Sequence, residues 1–196
     1  MITIIAPLDS APTTVTHRAA LSIYEELRKS EDVRMLSSFF ATHWPLKAAE
    51  SLRRSEFLIY LGHGSKKGLL GQMPLHLIRL LLSLSDNNLT RDRKIVTVAC
   101  YAWWYLREVP KRWATGSKTF MTVAYPTPGY DYAADFVDTW KVLILTAVKK
   151  DDPHRAVAEY KKRCSYYIAK YEKERRENWD VYAYGMRINR DYYSIA

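Results

Sequence analysis

In the stretch FLIYLGHGSKKGLLGQ, residues 57–72, five apolar residues run into His63, which sits between Gly62 and Gly64. A second apolar run, KIVTVAC from Lys94, ends on Cys100. A cysteine thiol with an ordinary pKa near 8.5 is only slightly ionised at neutral pH. An imidazole that accepts its proton, or pairs with the thiolate as imidazolium, turns it into an effective nucleophile. The glycines have uses of their own. Gly62 permits a sharp turn, and Gly64 leaves a backbone N–H uncovered, so that a developing oxyanion could approach it together with the N–H of Cys100. The plain alternative is that Cys100 is a small buried hydrophobe at a strand end. Its pairing with a Gly-His-Gly favours chemistry. Cys164 falls on the apolar face of a helix beside Val157, Tyr160 and Ile168 and reads as packing. His17, His43, His76 and His154 carry no local signal. A metal site built from His63, His76 and Cys100 has no close ligand pair of the usual spacing, so no metal or other cofactor is expected.

His63 and Cys100 can meet only if two strands end side by side. The chain reads as a regular alternation: a strand at Ile2–Leu8, then an amphipathic helix through Val15, Ala19, Ile23 and Leu27, then a strand at Val33–Phe40 and a helix at Pro45–Arg54. A strand at Glu56–Leu61, a glycine-containing loop and an apolar helix at Pro74–Leu84 follow. Strands at Lys94–Ala99 and Lys118–Tyr125, the turn PTPGYD, and two long helices at Tyr132–Val148 and Pro153–Glu174 complete the pattern. Asp152 and Pro153 cap the last helix. Such alternation predicts an α/β fold, a three-layer αβα sandwich with a mostly parallel central sheet. Ligands of such sheets bind beyond the carboxyl ends of the strands, where both candidate residues stand. With 196 residues, 48% hydrophobic and 26% charged, the chain suits a single domain over 1–196.

A strand ending in His-Gly (His63, Gly64), a helix, and a strand ending in Ala-Cys (Ala99, Cys100) resemble the caspase-like cysteine peptidases: caspases, metacaspases, gingipains, clostripain, separase and CHAT domains. The helical pair in DYAADFVDTWKVLILTAVKKDDPHRAVAEYKKR looks like that of CHAT and gingipain-type domains. WDVYAYG, Trp179 to Gly185, looks like their closing strand. The resemblance implies a caspase-like fold and a cysteine endopeptidase acting on protein or peptide substrates. In it, His63 is general acid or base, Cys100 the nucleophile, and the N–H groups of Gly64 and Cys100 the oxyanion hole. Two positions depart from caspases, which carry Gln two residues before the cysteine and Gly two after it. Here these are Val98 and Ala102, so specificity for aspartate is not implied. Tyr101, Trp103 and Trp104 are bulky where many relatives are small, and either wall a substrate pocket or occlude it. Relatives fix a charged substrate residue with an opposite charge. Asp9, after the first strand, and Asp131, after the fifth, are the acidic candidates and imply cleavage after Arg or Lys. Lys66 and Lys67 would favour the opposite sign. Asp131 also reads as a helix N-cap, and Asp9 as a turn residue.

A net charge of +9 raises nucleic acid as a partner, and ten Lys or Arg against five Asp or Glu lie in residues 149–176. This helix is a solvated face or a surface for nucleic acid or another acidic partner. No apolar run reaches the roughly 20 residues of a membrane span. With only two cysteines and no leader-like start, a cytoplasmic location is expected. A single glutamine, Gln72, hints at a hot environment. Three functional classes follow: an active cysteine endopeptidase, an inactive caspase-like interaction module, and a basic nucleic-acid-binding α/β protein.

Overall fold

Strands β1 (Ile2–Ile5), β3 (Phe57–Leu61) and β7 (Lys94–Val98) are buried at every position. Their side chains divide between two hydrophobic clusters, with Ile4, Ile59, Leu61, Val96 and Val98 in one and Ile5, Leu58, Tyr60 and Ile95 in the other. This is the period-two pattern of a sheet covered on both faces. The computed structural model describes residues 1–8, 10–37, 45–70, 80–83 and 87–196, the side chains of 45–49, 80–83 and 87 excepted.

With β2 (Val33–Leu36), β8 (Trp113–Ser117) and β11 (Tyr193–Ile195), these strands form a six-stranded sheet in the order β11-β8-β7-β3-β1-β2. Every neighbouring pair is parallel except β11 with β8. Helices α1 (Ala11–Leu27), α5 (Tyr132–Lys150), α6 (Pro153–Glu174) and α7 (Trp179–Tyr192) cover one face through Ile23, Trp140, Tyr160 and Met186. The other face is covered by α2 (Pro45–Arg54), α3 (Asn87–Thr90) and α4 (Ala102–Glu108) through Leu52, Leu89, Tyr105 and Leu106. The fold is therefore mixed α/β, with a mostly parallel central sheet and seven helices among the described residues. Two small antiparallel sheets are added, one of β4 (Gly64–Ser65), β5 (Gly68–Leu70) and β6 (Leu80–Ser83), the other of β9 (Pro126–Thr127) and β10 (Tyr130–Asp131).

Three sequence expectations give way. The helix expected at 74–84 is a strand at Leu80–Ser83, paired with β5 through Leu69 and Leu82, and its other residues lie outside the described ones. A short leucine run reads equally well as buried strand or helix. The fifth strand is Trp113–Ser117 rather than 118–125. Its polar residues Thr115 and Ser117 are buried, with their hydroxyls bonded to Tyr193 and Thr119, and so hide the apolar alternation. Trp179–Gly185 is helical, not the closing strand, because Trp179, Tyr182, Ala183 and Met186 put a helical stripe against the core. The antiparallel strand comes after it, as β11. Helix α4, directly after Cys100, was not anticipated.

Candidate active site

β3 and β7 are neighbours in register, Leu61 opposite Val98, so the chain leaves both at the same edge of the sheet. His63 and Cys100 each stand two residues beyond. The strand order reverses between β1 and β3, which opens the crevice where doubly wound sheets hold their ligands. His63 and Cys100 line one cavity there, of about 40 Å³, together with Pro12, Thr13, Thr16 and Met121 among others. The loop after β1 brings Ser10 to the same place. Ser10 Oγ lies 2.9 Å from His63 Nε2, a hydrogen bond whose direction follows the ring tautomer. Ser10 is also the N-cap of α1, and its own N–H donates to Thr13 Oγ1 at 2.8 Å.

Close approach explains both glycines. A Cβ on Gly62 would stand 2.8 Å from the Tyr60 hydroxyl, and one on Gly64 2.5 Å from the Cys100 carbonyl oxygen. Gly64 thus lets β4 lie directly on the peptide that follows Cys100. The Tyr60 hydroxyl, on a fully buried ring, shares its proton between the carbonyls of His63 at 2.6 Å and Leu70 at 2.5 Å. Leu70 N–H in turn donates to the His63 carbonyl at 3.0 Å. Antiparallel pairs alternate between bonded and non-bonded, so the Gly64–Leu69 pair beside it turns the Gly64 N–H away from β5.

Cys100 is half-buried, and its sulfur accepts the Met121 N–H at 3.3 Å. Tyr101 follows in the left-handed conformation, φ 54°, with its N–H donated to the Thr119 carbonyl at 2.8 Å. Residues held this way cluster at functional sites. The segment carrying Met121 is gripped from α7. Asn189, fully buried, accepts the Thr122 N–H at 2.8 Å and donates to the Thr122 carbonyl at 2.8 Å. Gly185 makes room there, since a Cβ would stand 2.9 Å from Thr122 Oγ1.

The bulky aromatics stand off the cavity. The Trp103 indole N–H donates to the Ile195 carbonyl and that of Trp104 to Lys118, at 2.7 and 2.9 Å. Tyr101, Trp103 and Trp104 are not among the described residues lining the cavity of His63 and Cys100. Lys66, at the tip of the β4–β5 hairpin beside Lys67, holds its ammonium 5.5 Å from the Trp104 ring centre and 6.0 Å from that of Tyr101. Asp131 caps α5 by accepting the Ala134 N–H, and pairs with Arg18 at 2.8 Å. Asp9, His43 and His76 lie outside the described residues. Cys164 is fully enclosed, and burial pushes its thiol up to about 12. Sequence reasoning missed Ser10, whose only local signal is that of an N-cap before Pro12. It also missed Asn189, whose partner is 67 residues away.

Comparison with known protein families finds no match, and no characterised protein shows significant similarity to the chain. No helix among the described residues is long and apolar enough to cross a membrane.

Proposed function

We propose that the chain is a caspase-like cysteine endopeptidase in which Cys100 attacks the peptide carbonyl and His63 moves the proton. The observation that carries the reading is that His63 and Cys100 leave adjacent parallel strands and line one cavity at the switch point of the sheet. In the proposed cycle, His63 takes the Cys100 proton as sulfur bonds to the carbonyl carbon, then gives it to the departing amine as the C–N bond breaks. Water, deprotonated by His63, releases the acyl group and restores the thiol. The N–H groups of Gly64 and Cys100 serve the oxyanion. Ser10 holds the imidazole through Nε2 as a positioning residue. Preference for Arg or Lys before the scissile bond belongs to the same proposal. Its described acid is Asp131, which already holds a guanidinium, that of Arg18.

A small thiol-directed electrophile such as iodoacetamide tests the dyad. Cys100 is expected to react faster than Cys164, and the rate to fall at least tenfold in His63→Ala. Equal rates in wild type and His63→Ala would overturn the dyad. Cys100→Ala is expected to abolish peptide turnover with an unchanged melting curve. Retained turnover would transfer the nucleophile to Ser10, whose hydroxyl is hydrogen-bonded to His63. A profile across a peptide library dominated by cleavage after Asp or Glu would reject the basic preference.

One observation favours a second reading, the caspase-like module without turnover. A cavity of about 40 Å³ accommodates one or a few waters rather than a substrate side chain. That reading expects iodoacetamide to label Cys100 while peptide-derived electrophiles, which must enter a cleft, do not.

A further inference from the structure

On the face of the molecule formed by α5 and α6, two adjoining grooves of about 240 Å³ each share Glu159 in their lining. Lys149, Lys150 and Arg155 line one of them, and Lys162, Arg163 and Tyr166 the other. They share no residue with the cavity of His63 and Cys100. Lys149 and Arg163 already face carboxylates, Glu26 at 3.7 Å and Asp138 at 3.4 Å. Lys150, Arg155 and Lys162 carry no ion pair among the described residues. Tyr166 is 57% exposed, with the Arg163 guanidinium 6.0 Å from its ring centre.

We propose that this groove binds a single-stranded nucleic acid, with the cations following the phosphodiester backbone and Tyr166 offering a face for a base to stack on. From Arg155 to Tyr166 the helix rises about 16 Å at 1.5 Å per residue. A track of that length runs along several nucleotides of a strand. A groove between helix axes some 8–10 Å apart suits one strand and not a duplex. A cationic track beside an exposed aromatic ring is the combination that holds single strands without reading sequence. An acidic polypeptide would use the cations and leave Tyr166 idle. Glu159, where the two grooves meet, works against any anion, which makes it a sensitive probe.

The test is fluorescence anisotropy of a labelled fifteen-nucleotide oligo-dT and oligo-rU against the full chain over a range of salt. If all five cations engage, log K is expected to fall with log[salt] at a slope of about −3.5, since a single strand contributes about 0.7 per neutralised phosphate. Lys150→Gln, Arg155→Gln and Lys162→Gln together should weaken binding at least tenfold and reduce the slope by about 2. Tyr166→Ala should weaken binding with the slope unchanged, and Glu159→Gln should strengthen it. Lys162→Gln alone, at an exposed position, provides the same reading with a slope change of about 0.7 should the triple variant unfold. No binding at low salt overturns the proposal. So do insensitivity to the Gln substitutions or to Tyr166→Ala, tighter binding of a duplex, and competition by polyglutamate as effective as that of the oligonucleotide.

Discussion

At Gly64 the chain passes so close to the peptide after Cys100 that even a methyl group must displace backbone, not a flexible side chain. Gly64→Ala is therefore expected to destabilise the protein by about 1–3 kcal/mol, the usual consequence of overpacking a rigid contact. Iodoacetamide labelling of Cys100 should slow in the same variant, because β4 must lift off the carbonyl that now covers it. Urea unfolding and labelling rates check the two effects separately. Ser10→Ala acts differently. It removes one hydrogen bond to the imidazole and leaves the sulfur and its Met121 donor in place. If His63 works on Cys100, turnover should fall several-fold through kcat with KM unchanged, and Ser10→Thr, which keeps the hydroxyl, should recover most of it. A merely capping Ser10 would lower the melting temperature and leave kcat alone.

Between elements, the link to follow runs from α7 through Asn189 to Thr122, and from the neighbouring Met121 N–H to Cys100. Asn189→Ala leaves the backbone N–H and carbonyl of Thr122 without their side-chain partner. A loss of about 2–3 kcal/mol is expected, together with slower Cys100 labelling, by differential scanning calorimetry and mass spectrometry. Nothing in the sequence marked this link. Helix α6 was legible to the residue, because Asp152 accepts the N–H groups of His154 and Arg155, Pro153 fits the first turn, and the apolar spacing runs on to Tyr171. The strands that lead to His63 and Cys100, FLIYL and KIVTV, were legible for a similar reason, being short runs rich in apolar and β-branched residues. In α7 the resemblance of WDVYAYG to the closing strand of CHAT and gingipain-type domains pointed to a strand. The reason a glycine stands mid-helix is Thr122, a contact only the assembled fold contains. β8 was missed because buried Thr115 and Ser117 are satisfied by partners that are distant in sequence or lie in an irregular turn.

Across the whole molecule, the amino end of the sheet and its outer strand are secured by different means. At the amino edge, opposite His63, the nearly buried Lys94 ammonium donates to Glu56 at 2.5 Å and Asp151 at 2.8 Å. The hydrogen bond from Lys94 holds both carboxyls below their usual range. Burial works to lower the Lys94 pKa, but the bonds to Asp151 and Glu56 outweigh it and raise the value. The depressed carboxyls contribute stability that is complete above their unfolded values and is lost as pH falls through the folded ones, below about pH 4. The raised lysine contributes below about pH 10.4 and loses its share as pH climbs through its folded value. Lys94→Met is thus expected to lower stability by about 1 kcal/mol at neutral pH, a modest figure because both carboxyls are substantially exposed. The gap from wild type should close below pH 4 and above pH 10.5 in denaturant titrations. The far side of the sheet is finished in another way, by β11, whose Tyr193, Ser194 and Ile195 pair antiparallel with Ser117, Gly116 and Thr115. A strand without a neighbour is a template for another chain, and β8 lacks the lysines and prolines that discourage such joining. β11 therefore works as a guard against edge-to-edge association. Loss of residues 193–196 is expected to leave a sheet that recruits copies of itself, seen as concentration-dependent growth in light scattering.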